Sequence, residues 1–307
     1  MNNFGLVLVL MGGSSAEREV SLASGQAVLD TLKNAGFDAM GFDPAERSLT
    51  DLQSMDIKRV FIMLHGRGGE DGRIQGFLDT LGIAYTGTGV LGSAIAMDKA
   101  ISKQIWLAQG FPSAAYHLVC AEQAADCDYA KLLADLGGKV MVKPSHEGSS
   151  IGMAVASDTA ELETAVNNAL RYDQTVLIER YIDGDEYTVA ILNGKALPSI
   201  RMQTPRSFYD YAAKYQVNTT QYFCPSGLSD EQESNLQELA VKAFHALHGE
   251  GWGRVDIMRD RQTNEWFLLE SNTVPGMTQT SLVPKAAKQA GLSFEQLVTQ
   301  ILQAHAD

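Results

Sequence analysis

The chain is poor in cysteine. Cys120, Cys127 and Cys224 are the only three in 307 residues, an odd number with no CxxC pair. That argues against both a disulfide framework and a zinc site. Basic residues are also short, 24 Lys and Arg against 37 Asp and Glu, and the net charge is −13. No Lys/Arg run is long enough to follow a phosphodiester backbone, so nucleic acid is not an expected partner. No apolar run approaches the roughly 20 residues of a membrane span. The run over residues 4–11 has no preceding positive charge and no cleavage-type tail; it reads as a buried first strand, and the protein as cytoplasmic with no membrane partner. Internal repeats and low-complexity tracts are missing as well. What is present is an ordinary globular composition over a length that accommodates two or three domains.

The run 4–10 suits a fully buried, parallel strand, and it leads through Met11-Gly12-Gly13-Ser14-Ser15 into a helical pattern that Gly36 terminates. A second apolar strand over 60–64 breaks into the glycine-rich stretch 65–72 before another helical pattern. Strand, glycine-rich turn and helix in repetition predict a parallel α/β sheet with ligand contacts at the strand C-terminal ends. The texture changes near Met97-Asp98-Lys99. A helix to residue 108 is followed by strands near 115–119, 140–143 and 175–179, with a helix over 159–170 between the last two. From residue 186 the pattern turns to hairpins, and Asn193-Gly194 is the best turn signal in the chain.

Between Gly253 and Gly276, Arg254 and Asp256 share one face of a strand by period two, as Glu270 and Asn272 share one face of the next. The other face takes Val255, Ile257, Phe267 and Leu269, which suit a buried layer. If residues 260–264 close a hairpin in even register, the four polar groups meet on one side. Oxygen donors so placed suit Mg²⁺ carrying phosphate, and the neighbouring arginine suits developing negative charge. A solvated, salt-bridged hairpin would show the same pattern.

Other stretches are ambiguous by themselves. The loop Glu147-Gly148-Ser149-Ser150-Ile151-Gly152 fits no Walker pattern, but its small residues let backbone N–H groups approach a phosphate. Lys143, emerging from an apolar strand just before it, complements an anion or simply snorkels to water; Lys99 carries the same ambiguity. Glu179 and Glu186 are placed to accept from an adenine amine and ribose hydroxyls, or are ordinary edge charges. Ser14-x-x-Glu17 reads as a capping box, and His65 as a hydrogen-bonded turn histidine. The aromatic stretch 206–215 is a core strand or, given its Pro205 and 218–221 flanks, a covering loop.

Taken together, Gly12-Gly13-Ser14-Ser15-Ala16-Glu17, His65-Gly66-Arg67-Gly68-Gly69-Glu70-Asp71-Gly72, Met97-Asp98-Lys99, Lys143-Pro144-Ser145-His146-Glu147-Gly148-Ser149-Ser150, Tyr209-Asp210-Tyr211-Ala212-Ala213-Lys214-Tyr215 and Glu270-Ser271-Asn272-Thr273-Val274-Pro275-Gly276 resemble the D-alanine–D-alanine ligase family of the ATP-grasp superfamily. The resemblance runs essentially the whole chain. It implies an α/β, three-domain ATP-grasp ligase fold with an N-terminal parallel α/β domain over 1–96, a central ATP-grasp subdomain over 97–186 and a C-terminal one over 187–307. It implies that one D-alanine carboxylate attacks the γ-phosphate of ATP, and that the amine of a second D-alanine then displaces phosphate from the acyl carbon. By the same resemblance Asp256, Glu270 and Asn272 hold two Mg²⁺ (or Mn²⁺) ions, Lys99, Lys143 and Lys214 neutralise phosphate, and Arg254 with the Gly276 N–H forms an oxyanion hole. Glu179, Glu186 and backbone groups of Arg180 and Ile182 read adenine and ribose, with Phe208 against the base and Tyr209 among the nucleotide contacts. Glu17 holds the first D-alanine's ammonium and joins Ser149 and Tyr215. His65 lies near the first substrate, and Ser281 and Leu282 receive the carboxylate of the second. Tyr215 favours an amine nucleophile over D-lactate. A homodimer is expected. Ser271 stands where the family more often has a small apolar residue, and is expected to point away from the metals. The competing readings are a catalytically dead nucleotide-binding module and a ligase making a depsipeptide or another dipeptide.

Overall fold

A computed structural model of the chain describes residues 4–203 and 220–304. The first sheet is parallel, with β1 (Leu6–Leu10) between β2 (Ala39–Phe42) and β3 (Ile57–Ile62). Val7, Leu8, Val9 and Leu10 are wholly buried, which is why the continuous apolar run signals a strand covered on both faces. Helix α1 (Arg18–Asn34) follows and ends where expected: Gly36 takes φ +81°, and the Gly36 and Phe37 N–H groups return to the Lys33 and Leu32 carbonyls. The capping box expected of Ser14 and Glu17 does not form. Glu17 occupies the N-cap position without a side-chain cap, because its carboxylate is engaged elsewhere.

After α2 (Arg73–Leu81) and α3 (Val90–Met97), Asp98 caps α4 (Lys99–Ala108) through the Ala100 and Ile101 N–H groups. A four-stranded antiparallel sheet comes next, in the order β4 (Tyr116–Cys120), β7 (Thr175–Arg180), β5 (Val140–Pro144), β6 (Ala154–Ala156). Helices α5 (Tyr129–Asp135) and α6 (Thr159–Ala169) close its core around Val142, Leu162, Val166 and Ile178.

The third sheet is antiparallel and centred on β8 (Gly184–Leu192), flanked by β10 (Ile200–Gln203) with β11 (Gln221–Phe223) and by β12 (Trp252–Asp260) with β13 (Trp266–Asn272). Asn193 and Gly194, at φ +52° and +74°, turn β8 into β9 (Lys195–Ala196), as the turn signal predicts. Alternation along β8 splits it between two cores. Tyr187, Val189 and Ile191 pack with Trp106 and with α7 (Asp230–Ala246). Ala190 and Leu192 face the first sheet's core, which also receives α8 (Leu282–Gln289) and α9 (Phe294–Gln303). Buried Arg59 on β3 fixes that return by donating to the Leu302 and Ala304 carbonyls at 2.8 and 2.6 Å, satisfying the end of α9.

One expected face needs correction. Val255 and Ile257 are buried, but their partner in the core is Leu268, while Phe267 and Leu269 are only half-buried. The ladder pairs Asp256 with Glu270 and then Ile257 with Leu268, so Leu269 is an extra residue in a β-bulge that shifts the alternation.

Candidate active site

The bulge leaves the neighbouring rungs intact. Arg254 pairs with Asn272 and Asp256 with Glu270, so the four polar residues lie opposite one another in the even register. Asp256 is the hub. Its Oδ1 accepts from Arg254 Nε at 2.8 Å and from Thr188 Oγ1 at 2.6 Å; its Oδ2 accepts from Arg254 Nη2 at 2.7 Å and Asn272 Nδ2 at 3.1 Å. Thr188, on β8 directly across from Asp256, was not singled out by the sequence. Its only signal there was a polar residue inside an apolar strand. Ser271, paired with the buried Val255, is itself buried, and its Oγ finds no partner among the described residues.

Lys99 bridges this strand pair to the Gly/Ser loop: its Nζ donates to the Glu147 carbonyl at 2.7 Å and lies 3.4 Å from Glu270 Oε2. Lys143, ending β5, does not snorkel. Its Nζ is 2.5 Å from Glu179 Oε2 on β7, and Lys103 Nζ approaches Glu179 Oε1 at 2.7 Å. Burial by itself would raise the Glu179 pKa, but the two ammonium groups hold it at about 2. Lys103, wholly buried and also donating to Ser113 Oγ and the Ala114 carbonyl, is a second residue that sequence reasoning missed. Its position in α4 gave no sign that this turn of the helix faces a carboxylate. The Arg180 guanidinium stacks 4.9 Å over the Phe267 ring, Ile182 is buried, and Glu186 pairs with Met202 and Met258 in the third sheet.

The N-terminal sheet contributes carboxylates. Glu17 accepts from Ser149 Oγ across 132 positions of sequence, and its carboxylate sits where a Cβ on Gly66 or Gly148 would come within 2.8 Å. Ser149 and Ser150, at φ +51° and +61°, hold the Gly/Ser loop in a left-handed turn that aims it at this point. Glu70 accepts from Gly66 N at 2.7 Å and faces the same small cavity as Lys99, Gly148, Glu270 and Asn272. Burial, then repulsion from Glu17 and Glu270, pushes its pKa up to about 8. So much acid in one place suits an ammonium ligand. His65 is buried, and desolvation above all lowers its pKa to about 4, so it is a neutral imidazole here rather than a cation. Gly276 precedes Met277, whose N–H is held by Ser24 Oγ at 3.0 Å. Ser281 precedes α8 but does not cap it; its hydroxyl is turned back to Thr278 N, leaving the N–H groups of Leu282 and Val283 at the helix start uncapped by side chains. Phe208, Tyr209, Lys214 and Tyr215 lie outside the described residues.

A parallel sheet followed by two antiparallel sheets, with lysines, a Gly/Ser loop and a carboxylate–amide ladder meeting between them, defines an ATP-grasp ligase. Solved structures agree. That of the D-alanine–D-alanine ligase from Bacillus anthracis complexed with ATP matches at a TM-score of 0.85 and 31% identity, over 97% of this chain and 96% of that one. The VanG D-Ala:D-Ser ligase from Enterococcus faecalis matches at 0.85 and 27%, over 96% and 98%. Family models described as the D-ala D-ala ligase N-terminus and C-terminus match residues 42–88 and 105–303. The D-alanine–D-alanine ligase of Pseudoalteromonas atlantica is 58% identical over 299 residues, 97% of this chain and 94% of that relative, and that of Acinetobacter baylyi is 55% identical over 303 residues, 98% and 96%. The chain belongs to the D-alanine–D-alanine ligase family.

Proposed function

We infer that the chain joins two D-alanine molecules to D-alanyl-D-alanine at the expense of ATP, for peptidoglycan precursor synthesis. The observation that carries this, beside family membership, is the facing pair of rungs Arg254–Asn272 and Asp256–Glu270 with Lys99 and the Gly/Ser loop against them. Two carboxylates and an amide oxygen form a hard, all-oxygen donor set that fits Mg²⁺ or Mn²⁺, and Asp256, Glu270 and Asn272 are the residues that would hold two such ions. Bound there, divalent cations supply charge neutralisation across the nucleotide phosphates.

The remaining work falls to the protein. Lys99, Lys143 and the loop over 147–152 position the triphosphate, with Lys214 added from outside the described residues. Glu179, Glu186, Arg180 and Ile182, with Phe208 and Tyr209, hold adenosine. Glu17, set against Ser149, receives the ammonium of the first D-alanine beside His65, while Tyr215 completes that set. The first D-alanine carboxylate takes the γ-phosphoryl group, and ADP leaves as the bond to the β-phosphate breaks. The amine of the second, its extra proton given up to solvent, attacks the acyl carbon, and inorganic phosphate departs as the carbon–oxygen bond breaks. Arg254, which pairs with the Asp256 carboxylate through two charge-assisted bonds, is the cation that would stabilise the oxyanion together with the Gly276 N–H. Uncapped N–H groups at the start of α8 suit the second substrate's carboxylate beside Ser281 and Leu282. Among the described residues no helix is long and apolar enough to cross a membrane; we place the protein in the cytoplasm, as a homodimer that sedimentation equilibrium would test.

The choice of D-alanine as second substrate, rather than the D-serine named for the VanG neighbour, rests on the sequence relatives and on Tyr215. Incubation with ATP, Mg²⁺ and an equimolar panel of D-alanine, D-serine and D-lactate, with products identified by mass, is expected to yield the D-alanine dipeptide above the mixed products. Asp256→Ala and Glu270→Ala are each expected to cut D-alanine-dependent phosphate release by at least roughly a hundredfold. Undiminished release in either variant removes the metal assignment.

A further inference from the structure

His146 immediately precedes the Gly/Ser loop and reaches none of the groups assigned to substrate, nucleotide or metal above. Its imidazole is held between two carboxylates, Nδ1 2.8 Å from Asp173 Oδ2 and Nε2 3.1 Å from Asp98 Oδ2. An imidazole can donate at both nitrogens only as the cation; the neutral ring sets a lone pair against one carboxylate. Each acid is itself structural. Asp98 caps α4 through Ala100 N and Ile101 N and also accepts from Ser145 Oγ at 2.8 Å. Asp173 accepts from the His146 backbone N–H at 2.7 Å and from Thr175 N at the start of β7. The ring therefore ties three segments at one point: the helix start that carries Lys99, the loop of Ser149 and Ser150, and the strand that carries Glu179.

The charged surroundings are mixed but acidic in balance. Lys99 follows Asp98 on α4 and turns its ammonium to the Glu147 carbonyl. Arg67, from the loop after β3, pairs with Glu147 Oε1 at 2.8 Å and lies 3.9 Å from Asp173 Oδ2, at the edge of the cluster. Hydrogen bonds donated to Asp173 and then to Asp98 raise the His146 pKa to about 9. Asp98, which burial would raise, is held by His146 and Ser145 at about 2. The imidazolium's stabilisation is thus complete below the ordinary histidine value near 6.5 and is lost as pH rises through about 9. On the acid side, the Asp98 contribution persists above the ordinary aspartate value and fails only as pH falls towards 2.

We propose that His146 is a positioning residue for the nucleotide: as an imidazolium between Asp98 and Asp173 it fixes the Gly/Ser loop against α4 and β7, and the protein's grip on ATP loosens when that single proton leaves. This rests on the reading of the loop as the phosphate-binding element given above. The loop's left-handed serines make such a clamp useful, since a strained turn keeps its shape only when its surroundings hold it.

The test is calorimetric binding of ATP with Mg²⁺ to the full-length protein between pH 6.5 and 9.5, for wild type, His146→Arg and His146→Gln. Binding is read directly, so it does not depend on which amino acid is the substrate. Wild-type affinity is expected to fall roughly tenfold across the upper part of that range, as a charge-assisted hydrogen bond is lost. His146→Gln is expected to be weaker by a similar factor already at pH 7 and to show no such fall. His146→Arg, a permanent cation, is expected to bind as wild type does at pH 7 and to stay flat. A fall of the same size in His146→Arg, or a Gln variant within twofold of wild type throughout, overturns the proposal, as does an NMR titration of the wild-type imidazole at the ordinary histidine pKa. Binding that follows the predicted pattern without D-alanine turnover would leave this proposal standing and strike the catalytic assignment instead.

Discussion

Thr188 and Lys103 show how side chains without an obvious chemical role can decide what a neighbouring carboxylate does. Among the described residues, Thr188 Oγ1 supplies one of four donors to Asp256, the one from a neutral hydroxyl and from β8. Thr188→Val keeps the β-branched shape, yet it frees Asp256 to turn. With Asp256 as the proposed metal ligand, and because outer partners of a ligating group commonly set metal affinity by about tenfold or more, calorimetry of Mn²⁺ binding is expected to show a loss of that order. An unchanged affinity would remove Thr188 from the site. Lys103→Met leaves the buried Glu179 with Lys143 alone. Chemical denaturation is expected to show a loss of about 3–5 kcal/mol, the usual cost of breaking a buried pair from one side. The Glu179 carboxyl, held at about 2, contributes stability above its ordinary value near 4.5 and loses it as pH falls through 2. The same variant should therefore unfold at a higher pH during acid titration, which circular dichroism would record.

At the scale of elements, the sequence disclosed those whose signal is local. The run 4–10, the glycine ending α1, the Asn193-Gly194 turn and the polar faces of β12 and β13 all read out directly, because burial, left-handed φ and period two each act within a few residues. The exceptions depend on partners far along the chain. Nothing near Leu269 announces a bulge, so period two puts Phe267 and Leu269 in the core where the structure buries Leu268. The Ser14-x-x-Glu17 spacing is a sound capping signal, but Ser149, folded in from the second sheet, competes for the Glu17 carboxylate. The cluster around His146 was likewise invisible, since Asp98, His146 and Asp173 are distributed over 76 positions and meet only through packing. One element-level contact can be tested directly. Arg59→Met removes both Nη1 hydrogen bonds from the end of α9, and a loss of about 2–3 kcal/mol is expected from one buried and one partly buried carbonyl left unpaired. Hydrogen exchange should place that loss in residues 294–303 first; uniform loss across the chain would show that Arg59 acts otherwise.

Across the whole molecule, the site belongs to no single sheet. Glu17 and Glu70 come from around the first, Lys143 and Glu179 from the second, Asp256, Glu270 and Asn272 from the third, and Lys99 from the helix between them. Apolar packing joins the first and third sheets, but the contacts that close the site itself are polar: Ser149 to Glu17, Arg67 to Glu147, Lys99 to Glu270. Their strength therefore depends on ionic conditions and ligands more than the apolar cores do. The first sheet has a further peculiarity, since its hydrophobic interior is completed by Leu297, Val298, Ile301 and Leu302, nearly three hundred positions after Val7. During synthesis on the ribosome, β1, β2 and β3 emerge long before the segment that covers them. The nascent N-terminal portion must wait with its apolar flank uncovered until α9 has cleared the exit tunnel, which makes it a natural client for chaperones and leaves prematurely terminated chains prone to aggregate.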